Sequence, residues 1–143
     1  MTIFIDADGC PVVDITIRLA VAHSLECILV CDTSHEFHRE GARTVTVSKG
    51  ADSADFALVN MARPGDIVVT QDYGVAAMAL ARGAVPIRQD GLVYTNDNID
   101  ALLHERHTSR KIRMGGGRFK GHAKRTAAED AAFEASLRRL LPC

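Results

Sequence analysis

Short apolar runs alternate with segments of helical periodicity over the first hundred residues, and this alternation is the strongest constraint on the fold. Five of the runs have the length and composition of strands. They are Ile3–Ile5, Cys27–Cys31, Arg43–Val47, Ile67–Thr70 and Val85–Ile87. Strands that alternate with helices join as parallel neighbours covered on both faces. The pattern therefore predicts an α/β, three-layer Rossmann-like fold with a mostly parallel sheet of four to five strands flanked by helices.

Helical segments are predicted between these strands and after them. Pro11 suits the first position of a helix that reaches about Ala22, because its ring presets φ for a helix and the missing N–H costs nothing there. Further helices are expected over residues 52–62, 75–82, 96–107 and from Thr126 onward, where Thr126 and Glu129 form a capping-box pattern. Pro86 predicts that the fifth strand lies at a sheet edge, and a turn at Asp90-Gly91 predicts a small extra strand over residues 92–94.

The length of 143 residues suits one domain. We expect an α/β domain over residues 1–107, a Gly-rich basic segment over 108–125 that is mobile, and a C-terminal helix over 126–143 that packs on the same domain. No apolar run approaches the length of a membrane span, and the N-terminus enters a strand directly without a signal-peptide pattern. These features predict a cytoplasmic protein that does not associate with membranes.

Two carboxylates follow the first strand, at Asp6 and Asp8. In open α/β sheets, ligands bind outside the carboxyl ends of the strands. Side chains two apart on a strand share a face, so both carboxylates are expected to point into one crevice. Two close carboxylates repel each other unless one is protonated or a cation lies between them, and Mg²⁺ or Mn²⁺ is the simplest such cation. The alternative is that Asp8 caps the following helix.

Further acidic and hydroxyl side chains follow the third and fourth strands. Asp52 and Asp55 open one helix, and Thr70 and Asp72 come just after another strand end. If the sheet is parallel, these groups converge with Asp6 and Asp8, as metal-dependent phosphoester chemistry requires. The alternative roles are structural: Asp52 and Asp55 would favour the helix dipole, and Asp72 would be a helix cap.

The charge is distributed unevenly although the net charge is only −1. Residues 1–103 carry 7 basic and 14 acidic side chains, whereas residues 104–143 carry 10 basic and 4 acidic ones. Such a division indicates an acidic metal-binding body and a basic segment for phosphates. The basic residues expected to bind a nucleic-acid backbone are Arg113, Arg118, Lys120, Lys124 and Arg125. The alternative is a solvated tail that balances the acidic body.

Four cysteines are present, and none of them forms a CxxC pair, so a zinc knuckle or a thioredoxin-type site is not expected. Cys27 and Cys31 lie in a strand-like run and are interpreted as small buried hydrophobic residues. Cys10 adjoins the acidic residues, which would raise the pKa of its thiol and make it a poor nucleophile.

Several of these motifs together resemble the YaiI/YqxD family of bacterial proteins. They are Ile5 to Pro11, Gly50 to Asp55, Asp66 to Gly74 and the basic run that ends at Lys124-Arg125-Thr126, in order and with matching spacing. That family is similar to the PIN-like superfamily of metal-dependent nucleases. The resemblance implies an acidic residue at the end of the first strand, another on a middle helix and a Thr-x-Asp after the fourth strand, which Asp6, Asp52 or Asp55, and Thr70 with Asp72 match.

The first motif also resembles the Asp-x-Asp of haloacid-dehalogenase-type phosphatases, in which the first Asp is the nucleophile and the second is the acid. No Lys follows the fourth strand to balance a phosphate, as that chemistry would require. The sequence therefore favours a Mg²⁺- or Mn²⁺-dependent phosphodiesterase acting on nucleic acid, with RNA preferred. In this scheme Asp6, Asp8, Asp52, Asp55 and Asp72 hold metal and Thr70 orients water. A non-catalytic RNA-binding protein and a small-molecule phosphatase remain the alternatives.

Overall fold

A computed structural model describes residues 1–32, 38–48, 53–105 and 125–142 of the chain. Its five strands form one sheet, in the order β3-β2-β1-β4-β5, and every described pair is parallel. The strands are β1 (Thr2–Asp6), β2 (Glu26–Asp32), β3 (Arg43–Val47), β4 (Ile67–Val69) and β5 (Val85–Ile87). The predicted α/β class with a parallel sheet is confirmed, and the strand that contains Pro86 lies at an edge as expected.

Helices cover both faces of the sheet. They are α1 (Val13–Ala22), α2 (Ser53–Met61), α3 (Tyr73–Ala81), α4 (described over residues 99–105) and α5 (Ala127–Leu140). No helix within the described ranges is long and apolar enough to cross a membrane. The Gly-rich basic segment expected over residues 108–125 lies outside the described residues, except for Arg125.

The alternation of side chains in β1 divides the core into two layers. Ile3 and Ile5 face one side, where they join a buried cluster with residues of α1 and α5, including Phe133 and Leu137. Phe4 faces the other side, in a cluster that α2 and α3 complete. Burying an aliphatic or aromatic side chain of this size contributes about 2 kcal/mol, so β1 is held from both faces. This arrangement is the three-layer Rossmann-like architecture.

Four local predictions differ from the structure, and one of them is the start of α4, which lies at residue 99 instead of residue 96. The first helix begins at Val13, two residues after Pro11, because a turn with Gly9 at φ +72° occupies residues 8–9 and a second turn occupies residues 11–12. Residues 92–94 form no extra strand, and only Val93 bridges to Ile87, in antiparallel orientation. Helix α3 begins at Tyr73, before the expected Val75, because Asp72 caps it.

The strand order places a topological switch point at β1. The chain proceeds from β1 to β2 and β3 on one side, and then returns to the other side of β1 to form β4 and β5. Connections on the two sides diverge, so a crevice opens beyond the carboxyl ends of β1 and β4, where ligands bind in open α/β sheets. Asp6 ends β1 and Thr70 follows β4, which brings both residues to this crevice.

Candidate functional site at the carboxyl edge of the sheet

Asp6 is the centre of the crevice. Its carboxylate accepts a hydrogen bond from the hydroxyl of Thr70, with Oγ1 and Oδ2 3.0 Å apart. Burial raises the pKa of Asp6 from 3.8 to about 6. The Thr70 hydrogen bond lowers this pKa, whereas the charges of Asp55, Asp72 and Asp8 raise it further. Asp6 is half-buried, and the charged side chains that act on its pKa within the described residues are all carboxylates, which is typical of a site that accepts a cation.

Thr70 is buried and holds Asp6 in position. Its Oγ1 donates to Asp6 and accepts the backbone N–H of Asp72 at 3.0 Å. Its carbonyl accepts a hydrogen bond from the hydroxyl of the buried Tyr94 at 3.2 Å. The hydroxyl proton of Thr70 is thus directed at Asp6. The structure therefore shows Thr70 orienting a carboxylate, and the water-orienting role expected from the sequence stays a prediction.

Asp72 is the N-cap of α3. Its Oδ1 accepts the backbone N–H groups of Gly74 at 2.7 Å and Val75 at 3.3 Å, which satisfies two donors at the start of the helix. The capping role that the sequence offered as an alternative is therefore present. The same carboxylate still raises the pKa of Asp6, so it contributes negative charge to the crevice.

Asp8 lies in the turn after β1, on the β2 side of the crevice. Its Oδ2 accepts the backbone N–H of Asp32, at the end of β2, at 3.4 Å. Asp6, by contrast, reaches towards Thr70 beyond β4. The two carboxylates therefore have partners beyond different strands, because the alternation expected for residues two apart applies only while the chain remains a strand.

Asp55 is half-buried in the first turn of α2 and raises the pKa of Asp6 more than Asp72 or Asp8 does. Asp52 lies outside the described residues. Within the ranges that the structure describes, no three His, Cys, Asp or Glu side chains are close enough to share a metal ion. The donors are all oxygens and carry a negative surplus, which fits Mg²⁺ or Mn²⁺ in chemistry. Asp6, Asp8, Asp55 and Asp72 would have to draw together to hold one.

Arg125 enters the same region from the start of α5. Its Nε contacts Asp130 Oδ1 at 2.6 Å, and its Nη2 donates to the carbonyl of Gln89 at 2.7 Å. Its charge lowers the pKa of Cys10, so the guanidinium lies close to the loop that follows β1. Its described partners are protein groups, which anchor α5 beside the site. The other predicted backbone-binding residues, Arg113, Arg118, Lys120 and Lys124, lie outside the described residues.

The two cysteines of β2 behave as small hydrophobic residues, as expected. Cys27 and Cys31 are buried, and burial raises the pKa of Cys27 to about 12. Burial is also the main cause that raises the pKa of Cys10 to about 11, and Asp6 adds to it. Cys10 is therefore a thiol at neutral pH and a poor nucleophile.

Sequence reasoning missed several polar groups that frame the crevice. Gln71 donates through Nε2 to the carbonyl of Gly9 at 2.8 Å, which joins the loops after β4 and β1. Arg88, which follows β5, pairs with both carboxylate oxygens of Asp90 at 2.9 and 2.7 Å and donates to the hydroxyl of Tyr73 at 3.0 Å. The pair lowers the pKa of Asp90. The one sequence feature that could have indicated this ion pair is the position of Arg88 and Asp90 two residues apart, at a turn.

Comparison with known sequences gives a consistent result. The family described as "Uncharacterized BCR, YaiI/YqxD family" matches residues 4–142. A "UPF0178 protein" of Exiguobacterium sibiricum is 61% identical over 141 residues, which cover 99% of this chain and 96% of the relative. A second, from Clostridium acetobutylicum, is 48% identical over 143 residues, with 99% and 97% covered. A third, from Bacillus thuringiensis, is 40% identical over 145 residues, with 99% of each chain covered. No solved structure matches the chain significantly.

Proposed function

The chain belongs to the YaiI/YqxD family, and because the names of its relatives state no reaction, we propose a function from the site itself: a Mg²⁺- or Mn²⁺-dependent phosphodiesterase that cleaves RNA. The observation that carries this proposal is the state of Asp6. A carboxylate at the switch point of a parallel sheet, with a pKa raised to about 6 and three further carboxylates in electrostatic reach, would be stabilised in its ionised form by a bound cation.

The roles of the chain's own residues follow from their contacts. Thr70 fixes the orientation of the Asp6 carboxylate through its hydroxyl, and Tyr94 holds Thr70 through its carbonyl. Asp8, Asp55 and Asp72 supply negative charge around Asp6, and Asp52 precedes Asp55 by three positions in the sequence. A bound divalent cation would activate a water molecule and neutralise charge on the phosphodiester.

The basic segment provides the substrate contacts in this proposal. Arg113, Arg118, Lys120 and Lys124 would bind the phosphates of the RNA backbone, and Arg125 fixes the end of that segment beside the crevice through Asp130 and Gln89. We place the reaction in the cytoplasm. The described cysteines are free thiols, as is usual in that reducing compartment.

The test is cleavage of a 5′-labelled RNA oligonucleotide in Mn²⁺ and in EDTA, with the wild type, Asp6→Asn and Asp97→Asn. Asp97 is an exposed carboxylate that serves as the matched control. We expect cleavage that requires Mn²⁺, falls at least about 100-fold in Asp6→Asn and is unchanged in Asp97→Asn. Equal cleavage by wild type and Asp6→Asn would refute the assignment.

A non-catalytic RNA-binding protein is the second candidate, and the capping role of Asp72 favours it, since a carboxylate that holds two backbone N–H groups has a structural function already. This alternative predicts RNA binding that weakens with salt, persists in EDTA and survives Asp6→Asn, without cleavage. Hydrolysis of p-nitrophenyl phosphate without RNA cleavage would instead support the phosphatase.

A further inference from the structure

A second concave region lies at the amino edge of the sheet, opposite the carboxylate crevice. Its volume is about 690 Å³, within the range of small-molecule sites. The first residues of β1, β2 and β3 line it, together with the end of α2 and the loop before β4. We refer to it as the amino-edge cavity.

The charge of the amino-edge cavity is positive. Three arginines line it, Arg43, Arg63 and Arg82, against two acidic residues, Glu26 and Asp66. Asp66 is buried, and its two oxygens accept the backbone N–H groups of Thr2 and Arg63, each at 3.0 Å. The negative charge of Asp66 is therefore partly offset by the backbone N–H groups that it accepts in the wall of the cavity. Glu26 lies 3.7 Å from Arg43, and both side chains are more than half exposed, so this pair is weak.

The two remaining arginines differ in what they contact. Arg82 donates to the carbonyls of Ala62 at 3.1 Å and Asn60 at 3.2 Å, and so covers the negative end of α2. Arg63 is exposed, and its guanidinium makes no hydrogen bond or ion pair with any residue in the described ranges. Among the described residues, therefore, the guanidinium of Arg63 has no protein partner, and that of Arg43 is in a weak pair with Glu26.

Apolar side chains form the base of the amino-edge cavity. Phe4 of β1 and Ile28 of β2 are buried and line it together with the half-buried Met61. An inorganic anion would leave this surface uncovered. A molecule with a flat apolar part and an anionic group would contact both the base and the arginines.

We propose that the amino-edge cavity binds a phosphate-bearing organic molecule of about mononucleotide size, with its phosphate between Arg43 and Arg63 and its apolar part against Phe4 and Ile28. A phosphate monoester carries a charge of about −2 at neutral pH, which matches two guanidiniums, and arginine binds phosphate oxygens in a forked geometry. The site is at the opposite edge from Asp6, so it does not depend on the proposed nuclease activity.

Calorimetry with adenosine monophosphate as the probe, in EDTA, tests this site without metal in the crevice. The variants are Arg63→Gln, with Arg139→Gln as the control because Arg139 is an exposed arginine of α5, and Asp6→Asn. We expect wild-type binding with a Kd on the order of 100 μM that weakens about tenfold in Arg63→Gln. The Kd should be unchanged in Arg139→Gln and Asp6→Asn, and both adenosine and inorganic phosphate should bind more weakly than the nucleotide.

Arg63→Gln removes no described side-chain contact, and unchanged thermal unfolding would confirm that it folds. Amide shifts of Phe4, Ile28 and Met61 on addition of the nucleotide would locate the ligand. The proposal is overturned by an equal Kd in wild type and Arg63→Gln, by a wild-type Kd above about 1 mM, or by inorganic phosphate that binds as tightly as the nucleotide.

Discussion

Two aspartates at opposite edges of the same sheet, the buried Asp66 and the half-buried Asp6, have contrasting environments. At the amino edge, each carboxylate oxygen of Asp66 accepts a backbone N–H, and three arginines line the cavity beside it. Asp6, at the carboxyl edge, accepts one hydroxyl and is surrounded by Asp55, Asp72 and Asp8, with a pKa raised to about 6. A carboxylate held by backbone donors stabilises the fold, whereas a carboxylate among other carboxylates costs stability and is suited to bind a cation.

The largest change in the free energy of unfolding is expected from substitution of Asp66, the structural residue of the two. Asp66→Ala would leave the N–H groups of Thr2 and Arg63 without their charged acceptor. Each such bond contributes about 1.5 to 3 kcal/mol, so we expect the free energy of unfolding to fall by about 3 kcal/mol, measured by urea denaturation. Asp97→Ala, an exposed control, should change it by less than about 0.5 kcal/mol. A similar small change in Asp66→Ala would remove the distinction between the two edges.

Asp6→Asn should raise the free energy of unfolding instead of lowering it. Asparagine keeps an acceptor for Thr70 but carries no charge, so it removes the cost of burying an ionised group. The pKa of Asp6 is raised from 3.8 in the unfolded chain to about 6, so the wild type loses stability as the pH rises between these values. Above pH 7 without metal, we expect the variant to be more stable by on the order of 2 kcal/mol.

This difference should disappear well below pH 3.8, where Asp6 is protonated in both the folded and the unfolded state. Urea denaturation from about pH 3 to pH 8 in EDTA measures it. A variant that is less stable than the wild type at pH 7.5 would show that Asp6 is a structural residue like Asp66.

A smaller effect is expected from Thr70→Val. The hydroxyl of Thr70 lowers the pKa of Asp6, so its removal should raise that pKa above about 6 and destabilise the fold by about 1 kcal/mol. An NMR pH titration of the Asp6 carboxyl carbon measures the shift. Thr46→Val on the exposed side of β3 is the control and should leave the pKa unchanged. An unchanged value in Thr70→Val would mean that the hydrogen bond is not maintained in solution.

Much of the carboxyl edge could be predicted from the sequence because a parallel sheet brings all strand ends to one edge. That rule alone located Asp6, Asp55, Thr70 and Asp72, and the apolar runs predicted five strands. The rule could not predict the direction in which each side chain points. Asp8 points towards β2, because the strand has ended before it. The side chain of Asp72 accepts a hydrogen bond from the first turn of its own helix.

The amino edge had no comparable signal in the sequence. Arg43, Arg63 and Arg82 are about twenty residues apart, belong to different elements and share no motif. They come together only because β1, β2, β3 and β4 pair in parallel, which brings the starts of these strands to one edge. The role of Tyr94 could not be predicted from the sequence for the same reason. Its hydroxyl donates to the backbone carbonyl of Thr70, and the two residues are 24 positions apart in the chain.

The most direct test of the central claim is calorimetric titration with Mn²⁺ of the wild type, Asp6→Asn and Asp97→Asn. If the carboxylates around Asp6 form a cation site, the wild type and Asp97→Asn bind Mn²⁺ with a Kd on the order of 10 μM, and Asp6→Asn weakens binding at least about tenfold. A wild type that does not bind Mn²⁺, or an Asp6→Asn variant that binds it equally well, would contradict the account.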